Sequence, residues 1–257
     1  MFVHEVGSGA PVVLLHGFGV DHRILLPIDS AVASAGSWRR LYLDLPGATR
    51  SPGAGINSAN DVADAVLSTV RDRLGDEPFA LVGNSFGGMI ARHVAHELRS
   101  QVLGLATIAG VFAPEDAART LPERIVLTRD DAVVDVLGPD VDAYRDMAVV
   151  ESADTARAFA AYVLPGIVGA DQETLERIRG QYSITPEPEL AHPEPFMQPS
   201  LHITGRQDHV VGYRDAFDRL EHYPRATFVV LDGAGHNVLI EQPVLCAALV
   251  GDWLRRV

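Results

Sequence analysis

The chain has 257 residues, of which 47% are hydrophobic, and its formal net charge is −13 at pH 7. The length suits one large α/β domain with an insertion, and the negative charge argues against a nucleic-acid partner or an anionic membrane surface. All 21 basic residues are arginine. This excludes a lysine Schiff base and the lysine of a phosphate-binding P-loop.

The first half of the chain alternates predicted strands with predicted helices. Strand patterns lie at residues 2–6, 11–15, 41–44, 79–82 and 102–108, several of them continuous apolar runs typical of strands buried on both faces. Helical patterns lie at residues 21–35, 58–74 and 86–100. This alternation predicts an α/β fold, with a mostly parallel sheet and helices on both faces.

The alternation stops after Ala109, and the next strand pattern is at residues 200–204. The gap of roughly 90 residues is too long for a simple connection, and it carries helical patterns before a proline-rich return. We therefore expect a helical lid at residues 112–195, inserted after the sixth core strand. The core domain then comprises residues 1–111 and 196–257, with its last elements at 213–222, 227–231 and 242–256.

Targeting and cysteine patterns are those of a cytoplasmic protein. The N-terminal residues lack the basic start and apolar core of a signal peptide, and no apolar run approaches membrane-spanning length. The single cysteine, Cys246, cannot form an internal disulfide and lies in an apolar helical pattern, which indicates a core position. We expect a small-molecule substrate and no membrane partner.

The sequence Gly83-Asn84-Ser85-Phe86-Gly87 lies between a predicted strand and a predicted helix. A Gly-x-Ser-x-Gly motif at such a turn is typical of a nucleophile elbow, in which glycines let the backbone pass close to its neighbours. The turn would expose the Ser85 hydroxyl above the end of the sheet. It would also place the Phe86 N–H at a helix N-terminus, where negative charge is stabilised.

A serine nucleophile needs an adjacent base, and the base needs an acid that orients it. Asp208 and His236 follow Ser85 in the chain order acid then histidine, each in a loop after a predicted strand. The carboxyl ends of such strands form the binding edge of open α/β sheets. We therefore predict Ser85, Asp208 and His236 as the catalytic residues, with Asp232 as the alternative acid.

The sequence His16-Gly17-Phe18-Gly19 also follows a predicted strand and is expected to complete an oxyanion hole. The two donors are predicted to be the N–H groups of Phe18 and Phe86, with Gly19 as the alternative to Phe18. A dinucleotide-binding loop is excluded because His22 stands where the third glycine would be. We interpret His16 as a residue that shapes this loop.

His93 and His96 lie one helical turn apart beside Glu97, a spacing that could hold a metal. No third ligand at a useful spacing accompanies them. We therefore interpret both histidines as packed or exposed residues and expect no metal site and no cofactor.

The motifs together resemble those of the α/β-hydrolase family over essentially the whole chain. The matching sequences are His16-Gly17-Phe18-Gly19, Asp44-Leu45-Pro46-Gly47, Gly83-Asn84-Ser85-Phe86-Gly87-Gly88, Gly205-Arg206-Gln207-Asp208 and Gly235-His236. The resemblance implies a serine-nucleophile hydrolase, because dehalogenases and epoxide hydrolases of this fold carry aspartate at the elbow. The elbow is also similar to that of meta-cleavage product hydrolases, although Asn237 stands where those enzymes carry tryptophan.

Two reactions and one non-catalytic role remain open. We favour hydrolysis of a small or medium ester through an acyl-enzyme on Ser85, over carbon–carbon bond hydrolysis of a dienoate or a binding role without turnover. A dienoate carboxylate needs a buried cation, and we expect the lid arginines to face solvent. These are Arg119, Arg124, Arg129, Arg145, Arg157, Arg177 and Arg179. Candidates for the apolar lining are Phe18, Phe86, Tyr144, Met147, Phe159 and Tyr162.

Overall fold

Seven strands form one sheet in the order β1-β3-β2-β4-β5-β6-β7 in a computed structural model that describes residues 1–257. The strand β1 is antiparallel to β3, and all other neighbours are parallel. The predicted mostly parallel sheet is confirmed. The strands are β1 Val3–Val6, β2 Ala10–Leu15, β3 Trp38–Leu43, β4 Phe79–Asn84, β5 Val102–Ile108, β6 Ser200–Gly205 and β7 Ala226–Leu231.

The central strands are covered on both faces, which explains their continuous apolar runs. Every residue of β4 and β6 is buried, whereas β7 at the sheet edge is mostly half-buried. Helices pack in two groups, α1 with α12 and α2 with α3. The helices of the core are α1 Asp29–Ala35, α2 Ala59–Leu74, α3 Phe86–Glu97, α10 Arg214–Phe217, α11 Val238–Glu241 and α12 Pro243–Leu254.

Two predicted helices are interrupted in the structure. Residues 21–35 form a 3₁₀ helix, His22–Ile28, followed by α1. Pro27 accounts for the break, because it has no N–H to donate and restricts the residue before it. The predicted helix at 213–222 likewise divides into α10 and a 3₁₀ turn, Leu220–His222. Cys246 lies in the core, as expected, and burial raises the pKa of its thiol to about 12.

The segment between β5 and β6 contains six short α-helices. They are α4 Ala132–Leu137, α5 Val141–Arg145, α6 Ala153–Tyr162, α7 Leu164–Gly169, α8 Gln172–Gly180 and α9 Pro188–Ala191. The helical insertion was predicted after the sixth core strand, and that position is wrong. Only five strands precede it, because each of the five strand-like runs before residue 112 forms a single strand. No helix in the structure combines the length and apolar character that a membrane crossing requires.

A buried ion pair fixes the returning end of this inserted segment to the core. The Arg92 guanidinium on α3 donates to both carboxylate oxygens of Glu189 at 2.7 and 2.5 Å, and to the Val111 carbonyl at 2.8 Å. The Tyr223 hydroxyl donates to the same carboxylate at 2.6 Å. Burial opposes ionisation of Glu189, but the Arg92 charge and these hydrogen bonds lower its pKa to about 2.

Removing one partner of this pair should destabilise the protein. In Glu189→Ala the Arg92 charge stays buried and keeps only the more distant Glu187 carboxylate, at 3.5 Å. We therefore expect a loss of about 3 kcal/mol in the free energy of unfolding, the lower end of the range for a broken buried pair. Urea denaturation measures it. Since the pKa of Glu189 is depressed, its contribution should be full above pH 4.5 and disappear as the pH falls towards about 2. An Arg92→Met, Glu189→Met double variant should recover much of the loss. Equal stability of Glu189→Ala and the parent would contradict this account.

Candidate active site

Ser85 stands at the turn between β4 and α3 with φ 51° and ψ −118°. Its N–H donates to the Ile108 carbonyl at 3.0 Å, and its own carbonyl accepts from the Val111 N–H at 3.0 Å. A side chain at Gly83 would collide with the Gly87 carbonyl, and one at Gly87 with the backbone of residues 15 and 16. The two glycines of the motif are therefore required by close backbone contact.

The loops after β6 and β7 are joined to each other, which brings Asp208 and His236 together. A Cβ atom on Gly205 would collide with the Ala234 carbonyl, so the backbone segments at residues 205 and 234 are in direct contact. Gln207 adds two bonds to Ala234: its N–H donates to the Ala234 carbonyl at 2.9 Å, and its side-chain oxygen accepts from the Ala234 N–H at 3.2 Å.

The three predicted catalytic side chains form one hydrogen-bonded chain. His236 Nε2 lies 2.9 Å from Ser85 Oγ, and His236 Nδ1 lies 3.0 Å from Asp208 Oδ2. The other carboxylate oxygen, Asp208 Oδ1, accepts from the N–H groups of Val210 and Val211 at 2.9 and 3.0 Å. Burial of Asp208 opposes its ionisation, but the His236 charge and these hydrogen bonds hold its pKa below the usual value.

Asp232, the alternative acid, lies away from the contacts between Ser85 and His236. Asp232 accepts from the side chain of Gln207 at 2.8 Å on the exposed side of the turn. His209, next to Asp208 in sequence, lies 3.1 Å through Nε2 from the Asp146 carbonyl of the inserted segment. Neither residue takes part in the contacts between Ser85 and His236.

His16 shapes the loop after β2, as the sequence predicted. Its Nε2 accepts from the Leu45 N–H at 2.8 Å, so the ring proton is on Nδ1, which donates to the Gly17 carbonyl at 2.7 Å. Burial lowers the pKa of His16 and keeps it neutral. A Cβ atom on Gly17 would lie 3.1 Å from Ser85 Cβ, so the loop passes directly against the serine.

The predicted oxyanion donors have no competing partners. The N–H groups of Phe18 and Phe86 donate to no acceptor in the protein, and that of Gly19 is equally free. The Phe18 and Phe86 rings pack edge to face with centroids 5.5 Å apart. Tyr182 of the inserted segment contacts both rings, at 5.4 and 5.0 Å.

A cavity of about 260 Å³ lies over Ser85 and is mostly apolar. His236 is the only titratable side chain in its wall apart from the Tyr182 phenol, and no arginine reaches it. Of the predicted lining residues Phe18, Met147 and Phe159 take part, whereas Tyr144 is core and donates to Val150. The sequence analysis missed further lining residues, which are Val20, Ile24, Ala143, Val163, Ile167, Tyr182 and Val210.

Glu241 was also missed by sequence reasoning, although it lies five residues after His236. Its Oε2 accepts from the Gly235 N–H at 2.7 Å, and its Oε1 accepts from Val149 and Val150 of the inserted segment at 2.7 and 3.3 Å. Burial raises the pKa of Glu241, and no cation faces it. This carboxylate therefore connects the His236 loop to the inserted segment through backbone N–H groups alone.

The two histidines of α3 have packing roles. His96 is buried, with Nε2 3.2 Å from the Tyr223 hydroxyl and Nδ1 2.7 Å from the Arg99 guanidinium. Burial lowers the pKa of both His93 and His96. The structure has no group of three histidine, cysteine or acidic side chains placed to hold a metal ion.

Residues 10–243 match the model of the α/β hydrolase fold family, and the chain belongs to that family. A pimeloyl-[acyl-carrier protein] methyl ester esterase of Shewanella woodyi is 24% identical over 263 aligned positions, covering 100% of this chain and 98% of that protein. The same-named protein of Pectobacterium carotovorum is 25% identical, covering 93% and 92%. An α/β superfamily hydrolase from Oenococcus oeni matches in structure with a TM-score of 0.91 at 24% identity, covering 99% and 95%.

Asp208→Asn should leave the fold intact and reverse the His236 tautomer. The new amide oxygen would accept from Val210 and Val211, so its NH₂ would face His236 Nδ1. The ring proton would then sit on Nε2, which could no longer accept from Ser85. We expect labelling of Ser85 by a fluorophosphonate to slow by about 10⁴-fold, the size of this effect in serine-protease triads. Asp232→Asn is the matched control and should label at the parent rate; slow labelling of the control with fast labelling of Asp208→Asn would reverse the assignment.

Glu241→Gln should loosen the His236 loop. The two carboxylate oxygens of Glu241 accept from three backbone N–H groups, whereas a glutamine has only one acceptor oxygen. Its NH₂ would face a backbone N–H at one end. We expect a loss of about 1.5–3 kcal/mol in stability, the range for a hydrogen bond to a charged group, and slower fluorophosphonate labelling. The measurements are urea denaturation and labelling rate. The exposed Glu221→Gln is the control, and labelling of both variants at the parent rate would exclude a positioning role for Glu241.

Proposed function

We propose that the protein is a serine hydrolase that cleaves an uncharged carboxylic ester through an acyl-enzyme on Ser85. The observation that carries the proposal is the continuous contact from Ser85 Oγ through the His236 ring to Asp208, at 2.9 and 3.0 Å. The contact opens into an apolar cavity next to free backbone N–H groups. The relatives named as methyl ester esterases support the same reaction class.

In this mechanism Ser85 Oγ attacks the ester carbonyl carbon while His236 Nε2 takes the hydroxyl proton. Asp208 stabilises the imidazolium through Nδ1. The negative charge that develops on the carbonyl oxygen is held by the N–H groups of Phe18 and Phe86. Collapse of the intermediate breaks the ester bond, and His236 returns the proton to the departing alcohol. Water, deprotonated by His236, then attacks the acyl carbon in the same way, and the acid is released as Ser85 regains its proton.

The cavity wall favours an uncharged substrate over a dienoate. A carboxylate in an apolar cavity needs a partner cation, and no arginine lines this one. Among the seven arginines of the inserted segment, Arg119 has a side chain that is only 10% exposed, which differs from the solvent-facing position expected for it. Its guanidinium donates to the carbonyls of Ala113, Pro114 and Val210 and pairs with Asp116.

We further propose that residues 112–195 act as a lid and that the chain divides into this lid and a core of residues 1–111 and 196–257. Met147, Phe159 and Val163 of the segment face Ser85 across the cavity, which supports this role. A substrate would then have to reach Ser85 past side chains of the lid.

The test compares three activities of the purified protein. A fluorophosphonate should label Ser85, and Ser85→Ala should abolish the labelling. Short-chain p-nitrophenyl esters should be turned over with higher kcat/KM than a ring-fission dienoate. If kcat/KM for the dienoate were higher by about a hundredfold, near 2.7 kcal/mol of transition-state preference, the ester assignment would be wrong. A parent protein that neither labels nor turns over any ester would instead be a binding protein of this fold.

A further inference from the structure

A second, larger depression adjoins the cavity over Ser85. This groove has a volume of about 810 Å³ and is predominantly polar, in contrast to the cavity. The two spaces share two wall residues, Phe18 and Tyr182. Their rings pack edge to face with centroids 5.4 Å apart, so the groove and the reaction cavity meet at this pair of side chains.

Three consecutive groove residues carry polar groups with no partner in the protein. The side chains of Gln181, Tyr182 and Ser183 make no hydrogen bond to any other residue, although all three line the groove. Tyr182 is half-buried, and its hydroxyl is accessible rather than enclosed in the core. Burial raises the pKa of Tyr182, so its hydroxyl stays protonated and able to donate. The unsatisfied groups suit a ligand with hydrogen-bonding atoms.

The charges of the groove are already neutralised. Arg119 pairs with Asp116 and donates to three carbonyls, and Arg179 pairs with Glu176 on α8. The wall holds two carboxylates, Glu115 and Asp116, and two guanidinium groups, Arg119 and Arg179, so its net charge is zero. An anionic ligand gains nothing here, whereas an uncharged chain with amide or hydroxyl groups matches the free groups of residues 181–183.

We propose that this groove is a second subsite of the same active site, which binds an uncharged, hydrogen-bonding extension of the ester, and that Tyr182 is the specificity-determining residue at the boundary. The inference rests on the proposed ester hydrolysis. The small apolar end of the substrate occupies the cavity over Ser85. The polar extension passes the edge of Tyr182 and receives a hydrogen bond from its hydroxyl.

Matched pairs of substrates measure the contribution of the Tyr182 hydroxyl to substrate preference. On the alcohol side, acetamidoethyl butyrate is compared with pentyl butyrate; on the acyl side, the methyl ester of an acetamidohexanoic acid is compared with methyl nonanoate. The parent should prefer the amide member of one pair. Tyr182→Phe should lower the kcat/KM ratio of amide to alkyl ester in that pair by about three- to tenfold, the range spanned by one neutral hydrogen bond. Tyr162→Phe, a tyrosine of α6 that lines neither space, should leave the ratio unchanged.

A second variant tests occupancy of the groove. Ser183→Trp should obstruct part of the groove and raise KM for the extended amide ester by a larger factor than KM for methyl butyrate, which is too short to leave the cavity. Should neither pair respond to Tyr182→Phe, and Ser183→Trp affect long and short esters alike, the subsite does not exist.

The subsite can also be tested without turnover, which separates it from the proposed reaction. Calorimetry on Ser85→Ala should detect binding of N-pentylacetamide, and adding Tyr182→Phe should weaken it about three- to tenfold. If the parent cleaves no ester but this binding difference appears, the reaction assignment is wrong and the subsite stands. If esters are cleaved and the amide binds equally with and without the hydroxyl, the reaction stands and the subsite is wrong.

Discussion

The site depends on a serine held with its backbone in the left-handed region. A φ of 51° for Ser85 costs of the order of 1–3 kcal/mol and persists only where the surroundings impose it. They do so through close contacts at Gly83 and Gly87 and through two hydrogen bonds, in which the Ser85 N–H donates to Ile108 and the Ser85 carbonyl accepts from Val111. The strained turn directs the hydroxyl towards His236. It also starts α3 at Phe86, so that the N–H of this residue has no helical acceptor.

Three carboxylates, of which Asp208 and Glu189 are buried and Glu241 is half-buried, fix the elements around that serine, and their partners decide their charge state. Asp208 faces His236 and two N–H groups, and its pKa is lowered; Glu189 faces Arg92, and its pKa is also lowered. Glu241 has only backbone N–H groups, which do not offset its burial, so its pKa is raised. Glu241 is therefore the first of the three to take up a proton on acidification. It is also the one that joins the His236 loop to the inserted segment.

The sequence predicted the parts of the site that depend on strand ends. Ser85, Asp208 and His236 each follow a strand, and parallel strands bring their carboxyl ends to one edge, so their meeting followed from order and spacing. Tyr182 and Glu241 were not predictable in this way. Each acts through a contact more than ninety residues distant in sequence: Tyr182 packs on Phe86, and Glu241 accepts from Val149. Helical periodicity shows which side of a helix is apolar, but it does not show what lies opposite.

The use of arginine elsewhere explains why the cavity contains no cation. The chain has no lysine, and the planar guanidinium of arginine is suited to bidentate and carbonyl contacts. Arg92 donates to Glu189, and Arg119 donates to three carbonyls. Arg177 donates to the carbonyls of residues 53 and 56. In the proposed reaction, negative charge that develops over Ser85 would be stabilised by backbone N–H dipoles, which are fixed before the reaction begins. Such a site stabilises a charge formed in the transition state and gives no advantage to a substrate that arrives already anionic.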